Sequence, residues 1–213
     1  MIYKAANYGS PYIGIYCLLN DNYAFVAPNV DPNFEAVIRR LDVDVVKISI
    51  ADTYLPALFA SVNNKRIILS QLATRDEIKV FKDYFSDVII LSTSYTAVGN
   101  LLSMNDYGIV AAKEIAEELK EAKAMTVAGS DLLGASLYAN NLAFLSHPDT
   151  SDEEMEQIRK VLKVDGGKGT VNFGDPMVAT GIIGNKKGII VGERSTGPEM
   201  NRIDDIFIFE KSE

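Results

Sequence analysis

The sequence predicts a mixed α/β (α+β) fold in which five copies of one strand-hairpin-helix unit close into a ring. Three observations predict it. An apolar–polar–apolar pattern recurs five times, each copy is followed by helix-start signals and a further short apolar segment, and the segments 1–3 and 206–209 near the two chain ends are apolar. A repeat of about 40 residues is typical of solenoids and propellers, whose units bury their faces only against neighbouring units.

Each copy opens with two apolar runs joined by a short polar link. Asn and Asp suit such a link because their side chains bond the local backbone and tolerate positive φ. In register, one column of links holds Asp21, Asn63, Asn105, Asn140 and Asn185, at intervals of 42, 42, 35 and 45 residues. The predicted hairpins occupy residues 18–28, 61–71, 103–113, 138–148 and 183–193.

A helix is predicted after each hairpin. Thr74 and Glu77 form a capping-box pattern, and acidic residues fill the start of the helix at 152–154, where the helix dipole favours negative charge. The pair Gly197-Pro198 places proline in a first turn. The remaining helices are expected from Asp31 and, with weaker capping, over 113–123.

A third strand is predicted after each helix, and the chain ends predict closure. Neither end resembles the polar cap of an open solenoid, so the termini are expected to lie close together in one domain. The predicted third strands are 43–50, 87–91, 125–127, about 169–171, and 206–209. The predicted repeats are approximately 1–50, 51–93, 94–128, 129–173 and 174–213.

Composition restricts the function classes. The 213 residues carry a net charge of −8, and their Lys and Arg residues are scattered, whereas nucleic-acid binders cluster cations against phosphates. No apolar tract could span a membrane, no secretory leader is visible, and a single cysteine excludes an internal disulfide. These features predict a cytoplasmic protein without a membrane partner, whose contact with any RNA-containing particle is mainly to basic protein.

Several motifs resemble those of the translation initiation factor 6 family, in particular its archaeal members. The residues are Ala97-Val98-Gly99-Asn100-Leu101-Leu102 with 104–108, and the last third of the chain at 167–172, 184–188 and 196–199. Ile13-Gly14 and His147-Pro148 also fall where the family has such pairs. The resemblance covers the whole chain, with the same number and order of repeats.

The resemblance implies a pentein fold, a five-fold pseudo-symmetric αβ propeller, and a non-catalytic role. Members bind the large ribosomal subunit on the face that meets the small subunit and block joining sterically; in eukaryotes they also act in large-subunit maturation. The expected partner is a basic ribosomal protein beside the sarcin–ricin loop, with limited rRNA contact, bound by a monomer. The expected contact residues are Gly99, Asn100, Asn105, Asp106, Thr196, Gly197, Pro198 and Glu199.

Two considerations leave this assignment open. Asn100, Asn105 and Asp106 are expected to be exposed, but hairpin links and helix starts would also explain these residues without any partner. The chain also departs from the family at Tyr8-Gly9-Ser10-Pro11-Tyr12 and at 50–56, where the usual glycines are missing. That loss puts the turn of the second repeat in doubt.

The alternative function is a pentein enzyme that acts on a guanidino substrate through Cys17 and His147. Cys17 lies in the first hairpin strand, where a small buried hydrophobe is the simpler interpretation. One Cys and one His from separate repeats do not predict a metal site. The segment 166–170 resembles a phosphate loop but has Leu162 in place of the required glycine, so no cofactor or small-molecule substrate is predicted.

Overall fold

The computed structural model describes residues 1–207, in which fifteen strands form five three-stranded sheets around a pseudo-fivefold axis. The strands are β1 Ile2–Ala5, β2 Cys17–Leu19, β3 Tyr23–Val26, β4 Asp44–Lys47, β5 Ala60–Val62, β6 Arg66–Ser70, β7 Asp87–Leu91, β8 Leu102–Met104, β9 Ile109–Ala111, β10 Lys123–Ala124, β11 Leu137–Ala139, β12 Phe144–Ser146, β13 Gly166–Lys168, β14 Ile182–Asn185 and β15 Gly188–Gly192. In each sheet a hairpin supplies two antiparallel strands, and a third strand pairs in parallel with the second. The predicted hairpins and the fold class are confirmed.

The N-terminal strand closes the ring. β1 pairs in parallel with β15, with Ile2 opposite Ile189 and Ala5 opposite Gly192. Residues 2–5, which the repeat pattern groups with the first copy, therefore supply the third strand of the fifth sheet. This pairing joins residues 2–5 to residues 189–192 and closes the ring, whereas the C-terminal residues 208–213 lie outside the described residues.

Five helices lie outside the sheets, and each packs between its own sheet and the preceding one. In the second repeat, Phe81 meets Phe25 of the first sheet at a ring-centroid distance of 5.3 Å. In the first, Phe34 and Ile38 lie against Ile190 of the fifth sheet. The apolar helix faces therefore stabilise the interfaces between repeats. These helices are α1 Pro32–Ile38, α3 Arg75–Phe81, α4 Lys113–Glu118, α6 Asp152–Leu162 and α7 Gly197–Ile206, and a 3-10 turn at Arg39–Leu41 extends the first.

A short helical segment precedes each hairpin and lines the axis. Gly99 packs so closely on its neighbour that an added Cβ would overlap the carbonyl oxygen of Ala57; Gly134 stands in the same relation to Gly99. Only glycine permits this backbone approach. These axial turns are α2 Pro56–Phe59, α5 Leu133–Ser136 and 3-10 turns at Ile13–Ile15, Val98–Asn100 and Val178–Gly181.

The third strands are where the predictions differ most from the structure. The strand predicted at 125–127 lies at Lys123–Ala124, and that at 169–171 lies at Gly166–Lys168. The reason is that Val127 and Val171 enter tight turns, bridged to Ser130 and Asp175 respectively. Of the predicted strand 206–209, Ile206 belongs to α7, and residues 208–209 lie outside the described residues.

Candidate functional site

The topology gives the ring two chemically different faces. On the tip face lie the five hairpin links. On the turn face lie five linking loops, 6–12, 48–55, 92–97, 125–132 and 169–177, together with the segments that start the outer helices, 27–35, 71–78, 112–116, 147–155 and 193–200. The strand–helix–parallel-strand order dictates this separation, because the second and third strands of every sheet run away from the hairpin link.

Asparagine side chains join the hairpin links of the first four repeats across the tip face, whereas Asn185 donates to the Leu41 carbonyl and the Asn140 amide nitrogen has no partner among the described residues. Asn63 is typical: its Oδ1 accepts from the backbone N–H groups of Lys65 and Arg66, both at 2.9 Å, and its Nδ2 donates to the carbonyl of Asn105 at 3.0 Å. Asn20 makes the same bonds in the first repeat. The predicted column is therefore wrong by one residue there, with Asn20 in place of Asp21.

The next position forms a second set of hydrogen bonds between repeats. Asp106 Oδ1 accepts from the Asn64 backbone N–H at 2.9 Å, and Oδ2 accepts from the side-chain amides of Asn64 and Asn141 at 2.8 Å. Asn64 also donates to Asp21 Oδ2 at 2.8 Å. Alternating amides and carboxylates thus neutralise the repulsion that adjacent acidic links would otherwise create.

These bonds correct the expected exposure of the predicted tip residues. Asn105 is only 3% exposed, and its side chain accepts from two backbone N–H groups while donating to Asn140 and Leu162 carbonyls. Asp106 is half-buried, with both carboxylate oxygens bonded. The expectation that Asn105 is exposed is wrong, because the hairpin link consumes its polar groups. A ribosomal contact by either residue stays a prediction.

On the turn face, buried glutamates hold the linking loops to the helix starts. Glu199 is 8% exposed, and its carboxylate accepts from the backbone N–H groups of Phe173, Gly174 and Thr196 at 3.2, 2.8 and 2.6 Å. The hydroxyls of Thr170 and Thr196 donate to it as well. Burial alone would raise the pKa of Glu199, but these donors outweigh it and lower the pKa to about 2.

The same device recurs in the second and fourth repeats. Glu154 accepts from the N–H groups of Ala128 and Gly129, both at 3.1 Å, and its pKa is also lowered by hydrogen bonds despite burial. Glu77 accepts from Ala51 and Asp52. Ala51 and Asp52 have φ of 54° and 55°, so the second repeat makes a left-handed turn without a glycine. Glu77 bonds both N–H groups of this turn, as Glu154 does at Ala128 and Gly129.

The turn face is apolar and acidic. Of the eleven large apolar side chains exposed in the described part of the chain, it carries seven: Tyr8, Tyr12, Tyr54, Leu72, Tyr95, Leu132 and Phe173. Its segments hold 14 carboxylates and three Lys or Arg residues, and Arg39, Lys47 and Lys168 from adjoining positions pair with Glu35 and Asp152, so the net charge of the face is −8. The whole chain also has −8, so its acidic character is concentrated on this face.

The predicted contact residues are divided between the two faces. Gly99 and Asn100 belong to the axial turn that follows the linking loop 92–97 of the turn face, and Asn100 is half-buried beside the axis. Thr196 and Glu199 cap α7 reciprocally, whereas Gly197 and Pro198 are exposed. Sequence reasoning missed the exposed aromatics. Their signal was an aromatic in the linking segment of four repeats: Tyr8, Tyr54, Tyr95 and Phe173.

An axial cavity of about 120 Å³ lies between the hairpins, at the position where a catalytic centre would be sought. Cys17 lines it, but its neighbours there are aliphatic, hydroxyl and amide groups, and no charged side chain of the described residues contributes. Burial raises the pKa of the Cys17 thiol. His147 lies in a loop of the turn face, where its Nδ1 accepts from the Asp149 N–H at 3.0 Å.

The structure therefore does not place Cys17 and His147 in one site. A buried neutral thiol is a poor nucleophile, and no base contacts it among residues 1–207. The same residues contain no group of three or more His, Cys, Asp or Glu side chains arranged to hold a metal ion. Every helix among them is too short or too polar to cross a bilayer.

Comparison with known proteins identifies the fold and the family of this chain. A dimethylarginine dimethylaminohydrolase variant, solved as an adduct with S-methyl-L-thiocitrulline, superposes with a TM-score of 0.50 at 12% identity, over 78% of this chain and 69% of that one. At such identity the likeness shows the pentein fold alone. Sequence relatives are closer. Translation initiation factor 6 of Methanoculleus marisnigri is 31% identical over 94% of this chain and 96% of that protein, and that of Pyrococcus horikoshii is 33% identical over 94% and 95%. The model of the eIF-6 family matches residues 2–206, and this chain belongs to that family.

Proposed function

We propose that this protein is a translation initiation factor that binds the large ribosomal subunit on its intersubunit face and prevents the small subunit from joining. Family membership over nearly the whole chain is the observation that carries the proposal. No catalytic step is involved. A rigid ring occupies a surface that the small subunit needs, so the effect depends on affinity and residence time.

The turn face is the surface that we assign to the subunit. It combines exposed aromatic side chains with the chain's excess of carboxylates. Interfaces are enriched in exposed aromatics, and an acidic surface selects a basic protein over rRNA phosphates. A basic ribosomal protein is therefore the main partner, with Asn100, Gly197 and Pro198 within or beside the contact. Asn105 and Asp106, on the tip face, stabilise the ring through their hydrogen bonds, and a contact from either to the subunit stays a prediction.

Co-sedimentation with isolated ribosomal subunits tests the proposal. The protein should pellet with the large subunit and not with the small one. When present in excess, it should also reduce the joined-ribosome peak on a sucrose gradient. Pelleting with the small subunit alone, or with neither, would refute the proposal.

Charge reversal tests the assignment of the face. Asp131 and Asp149 are exposed on the turn face, and Asp83 is exposed outside it. The double variant Asp131→Lys/Asp149→Lys should bind the large subunit about tenfold more weakly at low salt, with a smaller loss at high salt because ions screen exposed charges. Asp83→Lys reverses a charge outside the turn face; it is the control and should bind normally. Equal losses in both variants would exclude the turn face.

A further inference from the structure

A groove between the first and second repeats opens on the turn face and is lined by tyrosines. We define the tyrosine groove by Tyr8, Tyr16 and Tyr54, with Asn7 and Asn29 beside them; it encloses about 260 Å³. Tyr8 and Tyr54 are 67% and 62% exposed, and Tyr16 is half-buried against the core. Drug-sized ligands occupy pockets larger than this, so the groove fits a single side chain better.

The structure fixes the groove from both sides. The Tyr8 N–H donates to Asp31 Oδ2 at 3.0 Å, and the Asp31 N–H donates to Asn7 Oδ1 at 3.0 Å, so the left-handed turn at Tyr8 is tied to the start of α1. Tyr54 follows the left-handed turn at Ala51 and Asp52, whose backbone N–H groups donate to the Glu77 carboxylate. Both exposed rings therefore project from anchored backbone. Because the backbone is already ordered, less conformational entropy is lost when a ligand binds.

The charge of the surroundings indicates which ligand the groove fits. No Lys or Arg of the described residues lines it. The carboxylate of Asp31 lies beside Tyr8, and exposed Asp52 precedes Tyr54 by two residues. Aromatic faces attract cations, and a planar guanidinium can stack on a tyrosine ring while donating to nearby carboxylate and amide oxygens. An arginine side chain can therefore interact with the three kinds of group around the groove, namely the aromatic rings, the carboxylates and the amide oxygens.

We propose that the tyrosine groove receives an arginine side chain from a basic protein segment. The proposal rests on the proposed function, because the segment belongs to the ribosomal protein that the turn face binds. It assigns a specific role to Tyr8 and Tyr54, in the linking loops of the first and second repeats.

The test begins with a peptide alone. Acetyl-tetra-arginine amide, titrated into the full chain by NMR, should shift groove resonances and bind at least tenfold more tightly than the matching tetra-citrulline peptide, which keeps the shape but lacks the charge. Tyr54→Leu and Tyr8→Leu should each weaken binding about three- to tenfold. Tyr54→Phe retains the aromatic ring and should bind like the wild type. Tyr107→Leu, which removes an exposed tyrosine from the tip face, is the control and should have no effect.

Two outcomes would refute the proposal that the groove binds arginine: equal binding of the citrulline peptide, or unchanged binding of the arginine peptide in both leucine variants. Co-sedimentation of the same variants separates this failure from that of the proposed function. If the wild type and Tyr54→Leu bind the large subunit equally, the groove is not the partner's arginine site although the function stands. If the wild type binds no subunit while the peptide result holds, the proposed function fails and the groove keeps its arginine specificity.

Discussion

Replacing Glu199 by glutamine tests whether a buried carboxylate holds the turn face of the fifth repeat. The carboxylate accepts five hydrogen bonds, from three backbone N–H groups and two threonine hydroxyls. Glutamine has nearly the same shape, but only one of its terminal atoms accepts. The substitution therefore leaves donors of the loop 170–174 and of Thr196 without a partner, and removes the charge that favours the start of α7.

The magnitude follows from the pKa. A fall from about 4.5 to about 2 corresponds to about 3.4 kcal/mol of stabilisation, at about 1.36 kcal/mol for each pKa unit. Solvent still reaches the site from one side, and the glutamine oxygen keeps part of the bonding. We therefore expect the free energy of unfolding to fall by about 2 kcal/mol, and Tm by about 4–8 °C for a chain of this length.

The pH dependence gives the sharper assay. Because the folded-state pKa is depressed, the stabilisation is complete above about pH 5 and is lost as pH falls from about 4.5 toward 2. Urea unfolding of wild type and Glu199→Gln should differ fully at pH 7 and progressively less below pH 4.5. Glu193→Gln, at an exposed neighbouring position, should match the wild type throughout. A Glu199→Gln variant as stable as the wild type at pH 7, or a gap that persists unchanged near pH 2.5, would refute the reasoning.

Three further outcomes are expected. Gly99→Ala should lower the free energy of unfolding by about 3 kcal/mol, because the new Cβ meets a neighbouring carbonyl, while Gly197→Ala, in open space, should change it by less than about 0.5 kcal/mol; equal urea midpoints would contradict this. Asn64→Asp should cost about 2 kcal/mol at pH 7 and less at pH 3.5, because it places a third carboxylate between two others; the exposed Asn22→Asp serves as the control, and an equal loss there would exclude this cause. The thiol of Cys17 should react with DTNB at pH 8 only after unfolding, because burial raises its pKa, and rapid reaction of the native protein would show that the cavity is open to the reagent.

Local signals account for what could be predicted. Hairpin links need residues that bond their own backbone, and helix starts need caps. The structure at Asn63, at Thr74 and at the acidic residues 152–154 can therefore be predicted from a few neighbouring residues. The capping box at Thr74 is present as expected, and Ser151 and Thr196 form two more that were not predicted. The number and order of repeats follow because each copy carries these signals again.

The candidate site was predictable only in part, because its residues meet across repeats. Pattern alone could not distinguish an exposed Asn105 from one whose amide spans two hairpins, or show that the Glu199 carboxylate bonds the preceding loop. The aromatics of the turn face recur in sequence, but only the fold brings Tyr8 and Tyr54 to one groove. Their grouping depends on which loops share an end of the ring.

By itself the sequence determined the repeating unit, its five copies, its acidic composition and its family resemblance, since these depend on periodicity, capping and motif content within short windows. The tertiary structure alone decided how the ring closes, where its charge gathers and which polar residues remain free. β1 pairs with β15 across almost the whole chain, and Asn20 rather than Asp21 occupies the ring of hairpin links. Such choices depend on contacts between residues 40 or more positions apart, where hydrogen-bond geometry and close packing discriminate between neighbours that local propensity treats as equivalent.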